Sequence, residues 1–338
     1  MENLGACEAW RAAYEVQRAT LTQFYDLCAR TLGSACALKP LEPRLFSMQA
    51  NLFSTLFIMA TAALGLVEEK VRFYAVVNQC LRTVVTGCDN ILDDEYKEVV
   101  PVALEGSGTR FRSVLQIMTG DAVLARLMTE AVAEGSLDAA KAARLSGAVL
   151  AVLIPSGVQE HEEESGLNKT IPRPEEMIGD VLYRKTGLLF QAPLKLVAHV
   201  GDATEADIAV GARALSDFGI ACQILDDAMD VSQDLSQRHL NLVLSLAYHG
   251  DDPAERDTAQ ALASRERLTE AEAVEAAANL PIAAEACRLL AAEYFSRAYQ
   301  GLCKAIPAFD PAAAKSLGTL VQMAIMKDRF IAPLGTLV

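Results

Sequence analysis

With 338 residues, 52% of them hydrophobic and 22% charged, the protein has the means to bury a large core and little room for long disorder. A formal net charge of −14 sets up a field that repels phosphate backbones, and with no basic stripe along the sequence a nucleic-acid partner is excluded. Eight cysteines without a C-x-x-C pair, and an amino terminus lacking the basic start and apolar block of a secretory signal, lead us to expect reduced thiols and a cytoplasmic protein.

Ala, Leu, Met, Glu, Gln and Arg dominate most segments, alternating strand patterns are scarce, and Gly and Pro gather in a few places. This pattern predicts an all-α protein of long helices and short loops, organised as one domain over 1–338. The predicted helices, in chain order, are 5–31, 45–67, 70–98, 111–134, 138–158, 174–199, 204–230, 235–249, 257–278, 281–305 and 311–330. The apolar run 52–67 contains Ser54 and Thr55 and ends at Glu68 and Glu69, so it reads as a buried helix, and no membrane span is expected. After the helix ending at 98, the stretch VVPVALEGSGTR (99–110) reads as a mobile loop at the mouth of a site. A second polar segment, 160–173, interrupts the helical pattern.

Two acid clusters carry the chemistry. In the first, DDEYKE (93–98), helical spacing aligns Asp89, Asp93 and Lys97 on one stripe and Asp94 with Glu98 on the next. In the second, QILDDAMD (223–230), Asp226 aligns with Asp230. The first cluster alone also reads as solvated helix surface. The second lies among Ile220, Cys222, Ile224, Leu225, Met229 and Val231, where unpaired carboxylates would be costly. Oxygen-rich ligand sets of this kind suit Mg²⁺, which shares its shell with water and substrate phosphate oxygens. Asp93, Asp94, Glu98, Asp226, Asp227 and Asp230 are therefore the candidate metal ligands. Two helices that point these carboxylates at each other are the simplest geometry.

Residue by residue, the sequence resembles the trans-polyprenyl diphosphate synthase family. Lys185-Thr186-Gly187 stands for its K-T element, and Gly219-Ile220-Ala221-Cys222-Gln223 for G-x-A-F-Q with cysteine in place of phenylalanine. Asp226-Asp227 and Asp230 follow for the second aspartate motif. Gly120-Asp121 stands for the G-D pair, Gly157-Val158-Gln159 for a loosened G-Q, and Lys327-Asp328-Arg329 for the basic end of the last helix. The likeness covers about 70–330 and is strongest over 178–234.

The resemblance implies a class I isoprenoid synthase bundle around a central apolar cavity, three Mg²⁺ ions and a prenyl diphosphate substrate. It also implies a homodimer, with Asp93, Asp94, Asp226, Asp227 and Lys185 catalytic. Lys185, Thr186 and Gln223 would bind substrate, with Arg110, Arg112 and Arg238 as further candidates. Departures sit where the family holds isopentenyl diphosphate. The segment Gln49-Ala50-Asn51-Leu52-Phe53-Ser54 has no basic residue, Thr86 stands at the family's histidine, and no Arg-Arg-Gly follows the first motif. The first motif also looks more like that of class I terpene cyclases. A terpene-synthase-like enzyme is therefore the leading expectation, with a prenyltransferase that elongates chains as the alternative and a non-catalytic subunit as a third.

Overall fold

The structure, a computed structural model, describes residues 7–92, 96–165, 170–265, 267–311, 314, 317, 318 and 321. Among them helices dominate, strands are absent, and one isolated antiparallel bridge joins Leu38 to Val102. The expected all-α class holds. The protein groups into two compact units interleaved in sequence. The first takes 1–150, 193–209 and 305–313, and the second takes 151–192, 210–304 and 314–338.

In the first unit α1, Glu8–Leu32, buries Trp10, Leu21, Phe24 and Cys28 and stops at Gly33, whose φ of 55° suits glycine. The predicted helix 45–67 does not form as one piece. Two 3₁₀ turns, Pro43–Phe46 and Gln49–Asn51, precede α2, Leu52–Ala62. The buried Asn51 amide donates to the carbonyls of Leu45 and Ser47, offering the backbone an alternative to helix.

Helix α3 is described over Glu68–Leu92, and Tyr96, Lys97 and Glu98, inside the predicted span 70–98, lie outside any helix. The cause is again an asparagine. Asn90 accepts from Lys97 N–H at 2.8 Å and donates to Lys97 C=O at 3.0 Å, so Lys97 folds back instead of continuing the helical stripe. Helix α4, Thr109–Ala133, packs on α3 by close approach. A Cβ on Gly120 would lie 3.2 Å from Cys80 C=O, and one on Gly87 3.1 Å from Ser113 C=O, so each helix presents a glycine to the other.

The segment 99–108 corrects the mobile-loop expectation. Val99, Val100 and Val102 are buried, and Gln116 Oε1 accepts from Val99 N–H at 2.9 Å. Lys39 N–H donates to Pro101 C=O, and Ala103 N–H to Ala37 C=O. From α4, Arg112 donates to the carbonyls of Val102, Leu104 and Gly106. A segment with its valines inside and its carbonyls gripped is pinned. Elsewhere in this unit the carboxylate of Asp202 gathers Tyr74 Oη at 3.0 Å, Lys70 at 2.8 Å and Lys141 at 2.6 Å.

Helix α5, Ala139–Glu164, begins in the first unit and ends in the second, running past Pro155 and the predicted end at 158. The predicted helix 174–199 has three parts: a turn at Pro174–Glu176, a π-helix Met177–Gly187, and α6, Leu188–Val200. Such wide-turn segments are rare and are often found at functional sites. Helix α7, Glu205–Met229, matches its prediction within a residue. In the second unit Gly219 of α7 seats the Phe190 ring where a Cβ would sit 2.7 Å from it, and Phe218 packs against Phe190, Phe295 and Tyr299.

The predicted helix 235–249 is divided at Arg238 into α8, Val231–Gln237, and α9, Leu242–His249. The prediction over 257–278 likewise divides into α10, Pro253–Ala263, and α11, Glu270–Ala278, the latter opened by the Thr269/Glu272 capping box. Helix α12, Pro281–Ala305, is as predicted, and the buried Glu255 carboxylate accepts its Ile282 and Ala283 N–H groups at 2.6 and 2.9 Å. The predicted helix 311–330, with the basic triplet 327–329, lies for the most part outside the described residues. By length and composition α5 and α7 could each cross a bilayer. The apolar window of α7 is 78% buried inside the structure and that of α5 22%. No disulfide joins any of the eight cysteines.

Candidate active site

The last turns of α7, the π-helix and the end of α5 bring the second-motif residues together within the second unit. Thr186 Oγ1 donates to Gln223 Oε1 at 2.8 Å, and the Gln223 amide donates to Asp227 Oδ1 at 3.1 Å and reaches Asp226 Oδ2 at 3.5 Å. Lys185 Nζ lies 3.1 Å from Glu163 and 3.5 Å from Glu160. Burial opposes the lysine's charge, but Glu163, with Glu160 and Asp227, outweighs it and holds Lys185 above its ordinary pKa.

The two adjacent aspartates part company. Asp226 is exposed at the end of α7 and Asp230 is half-buried one turn on, whereas Asp227 is 3% exposed. Asp227 Oδ2 accepts the N–H of Leu242, the first residue of α9, at 2.8 Å, and its backbone carbonyl accepts from Asn241 Nδ2 at 2.8 Å. Burial pushes Asp227 up to about 8, against the pull of the Leu242 N–H and the Gln223 amide. Asp227 thus differs from Asp226 in burial, and each of its two oxygens accepts from one protein donor.

Glu98 lies outside any helix and pairs with Lys39 at 2.8 Å, with Tyr96 Oη at 3.4 Å. Arg112 is 8% exposed and directs its guanidinium at the carbonyls of the 99–108 segment, where an incoming phosphate would have to displace them. Arg238 adopts φ 64° and ψ 29° after α8 and lines a cavity that Glu163 also borders. Arg110 is exposed in the first turn of α4. Asp93 and Asp94 lie outside the described residues. Among the described residues no three His, Cys, Asp or Glu side chains converge closely enough to hold a metal ion.

Residues that sequence reasoning passed over complete the cluster. Glu163 is 6% exposed and accepts from Lys185, from Leu240 N–H at 3.2 Å and from Gln159 Nε2 at 2.9 Å. Its signal was its place four residues after Gln159 on one helix face, hidden inside an acidic run that reads as solvated loop. Asn241 also bonds Asp234 at 2.7 Å and caps α9 through Val243 N–H. In the first unit Arg82 of α3 sits against the 49–54 stretch, donating to Ala50 C=O at 3.0 Å and to Asn51 Oδ1 at 3.2 Å.

The protein is similar in fold to solved prenyl diphosphate synthases. Decaprenyl diphosphate synthase from Rhodobacter capsulatus aligns over 97% of this chain and 99% of its own at 19% identity, with a TM-score of 0.64. Geranylgeranyl pyrophosphate synthetase from Pyrococcus horikoshii Ot3 aligns over 95% and 99% at 18% identity, with a TM-score of 0.65. Polyprenyl synthase from Caulobacter crescentus CB15, solved with calcium and isoprenyl diphosphate, aligns over 94% and 97% at 17% identity, with a TM-score of 0.60. No curated protein sequence matches it. The family model described as Polyprenyl synthetase matches residues 109–280, just over half of the sequence and the stretch that holds Lys185, Thr186, Gln223 and the second aspartate motif. The chain belongs to the polyprenyl synthetase family.

Proposed function

We propose that the protein is a prenyltransferase that joins an allylic prenyl diphosphate to isopentenyl diphosphate. Family membership and the prenyl diphosphate synthase neighbours favour this alternative over the terpene-cyclase reading. The sequence carries no cation at 49–54, and one observation supports the prenyltransferase reading despite this. Arg82 brings a guanidinium to that stretch from α3, one helical turn before Thr86, the position of the family's histidine. A planar guanidinium beside an anchored backbone suits a diphosphate.

Asp226 and Asp230 supply hard oxygen donors one turn apart at solvent-accessible positions, a fit for Mg²⁺, with Asp93 and Asp94 as the expected partners from the first motif. Bound Mg²⁺ would offset the charge of the leaving diphosphate. Gln223 orients Asp226 and is itself held by Thr186. Asp227 keeps the end of α7 against α9. Lys185, kept charged by Glu163 and Glu160, supplies positive charge for the substrate's diphosphate. A homodimer is the expected assembly, and the exposed stripe Phe111, Val114 and Met118 on α4 is an apolar face a second copy could cover.

Incubating the protein with Mg²⁺ and geranyl or farnesyl diphosphate, with and without isopentenyl diphosphate, tests the reading. Longer prenyl diphosphates should form only when both substrates are present, and Arg82→Gln should raise KM for isopentenyl diphosphate at least about tenfold while changing that for the allylic substrate little. Hydrocarbon or alcohol released from the allylic substrate alone would return the cyclase reading. Absence of any product would favour a non-catalytic subunit.

A further inference from the structure

The helical run that carries the second aspartate motif breaks at one of the motif's own residues. Helix α7 ends at Met229 and α8 begins at Val231, and between them Asp230 takes φ −104° and ψ 19°, outside the helical region. Backbone bonds span the break, from Asp230 N–H to Asp226 C=O and from Asp234 N–H to Asp230 C=O, each at 2.9 Å. Asp226 therefore stands on α7 and Asp230 at the joint. How these two carboxylates are spaced depends on how α8 is held against α7.

One side chain holds that joint. Asn241, 2% exposed, donates through Nδ2 to Asp227 C=O on α7 at 2.8 Å and to Asp234 Oδ2 on α8 at 2.7 Å. The last carbonyls of a helix have no partner further along it, and Asn241 supplies one for Asp227. A side chain that enters the ladder in this way is one of the few causes of a sharp helix break. Asn241 Oδ1 accepts Val243 N–H at 2.8 Å and so caps α9. With the donors and the oxygen of its amide all engaged, the side chain has one orientation and ties α7, α8 and α9 together.

We infer that Asn241 is a positioning residue for the second aspartate motif. By gripping Asp227 C=O and the Asp234 carboxylate it sets the break at Asp230, and with it the spacing of Asp226 and Asp230 around a small divalent cation. The inference rests on the proposed function only in taking these two aspartates as Mg²⁺ ligands. Mg²⁺ demands near-ideal octahedral geometry whereas Ca²⁺ accepts flexible shells, so a loosened joint weakens Mg²⁺ more than Ca²⁺.

Electron paramagnetic resonance of free Mn²⁺ over the full-length protein measures metal affinity, and displacement by Mg²⁺ and by Ca²⁺ gives theirs. Asn241→Ser keeps a capping oxygen for Val243 N–H and removes both donors. It should weaken Mg²⁺ at least tenfold and Ca²⁺ less than threefold, a split that a merely structural asparagine would not produce. Should that variant fail to fold, the half-buried Asp234 at the α8 end decides. Asp234→Ala releases α8 and should lower the preference for Mg²⁺ over Ca²⁺ at least fivefold. Asp234→Asn removes the same charge but keeps an acceptor for Asn241, and should retain the wild-type preference. Equal losses for both cations in Asn241→Ser, or the same preference in Asp234→Ala and Asp234→Asn, would overturn the inference and leave the metal reading in place. Metal binding by Asp226→Asn indistinguishable from wild type would overturn the metal reading itself, and the inference with it.

Discussion

Glu163 is the best place to test the energetics of the cluster. Its side chain is 1% exposed and meets a lysine side chain 14% exposed at 3.1 Å, together with the Leu240 N–H and the Gln159 amide. Glu163→Ala removes one partner of a buried ion pair, a change that typically costs about 3–5 kcal/mol. Glu160, 3.5 Å from the same ammonium, recovers part of this, while the orphaned Leu240 N–H adds about 1 kcal/mol. A net loss of about 3–4 kcal/mol is expected. Glu163→Gln keeps an acceptor for two of the three donors and should cost about 1–2 kcal/mol.

The double variant Glu163→Leu/Lys185→Leu replaces the pair with apolar groups and should lie closer to wild type than Glu163→Ala does, because neither charge is left buried alone. Urea unfolding followed by circular dichroism reads these as changes in midpoint at constant slope. A loss below about 1 kcal/mol for Glu163→Ala, or a double variant as unstable as the sum of its singles, would refute the claim that a buried charge pair holds α5 to the π-helix.

Two further predictions concern the first unit. Arg112→Met removes the donors that hold the carbonyls of Val102, Leu104 and Gly106, so limited proteolysis should cut within 103–108 at least about tenfold faster than in wild type; an unchanged rate would mean that the buried valines alone pin the segment. Asp202 is driven up by its burial but further down by hydrogen bonds from Lys141, Lys70 and Tyr74, leaving its pKa below the ordinary aspartate value. A depressed carboxylate adds stability that is complete above the unfolded value of about 3.9 and is lost as pH falls through the lower folded value. Asp202→Asn should therefore cost about 1–3 kcal/mol at pH 7 and flatten the acid limb of the stability profile, and parallel curves for variant and wild type would refute that assignment.

Helix periodicity carried most of the fold, and two of its failures share one physical origin. Helices α7 and α12 were legible because their apolar spacing runs uninterrupted between clear ends. The predicted helices 45–67 and 70–98 failed at Asn51 and Asn90, whose side chains bind nearby main-chain groups and end or divide the helix. A hydrophobic pattern records which face is apolar. It does not record whether an asparagine spends its amide on solvent or on its own backbone. For the same reason the 99–108 loop looked free: its grip comes from Arg112 and Gln116 on α4, long-range donors and acceptors with no local signature. Arg82 escaped notice because its partners, Ala50 and Asn51, lie 32 and 31 residues away in sequence.

The second aspartate motif shows what spacing alone can yield. Consecutive residues on a helix point about 100° apart, so Asp226 and Asp227 differ in burial although both reach the Gln223 amide, while Asp226 and Asp230 lie one turn apart on one face. Amphipathic context then decides which of the pair goes inward, and the inward one needs donors to offset its burial. Asp227 finds them in Leu242 N–H and Gln223, and by accepting from the first residue of α9 it joins the end of α7 to the start of the next long segment. The buried aspartate thus holds the helix end on which Asp226 and Asp230 are displayed. Removing Asp227 should loosen the joint between α7 and α9, whereas removing Asp226 should leave that joint in place.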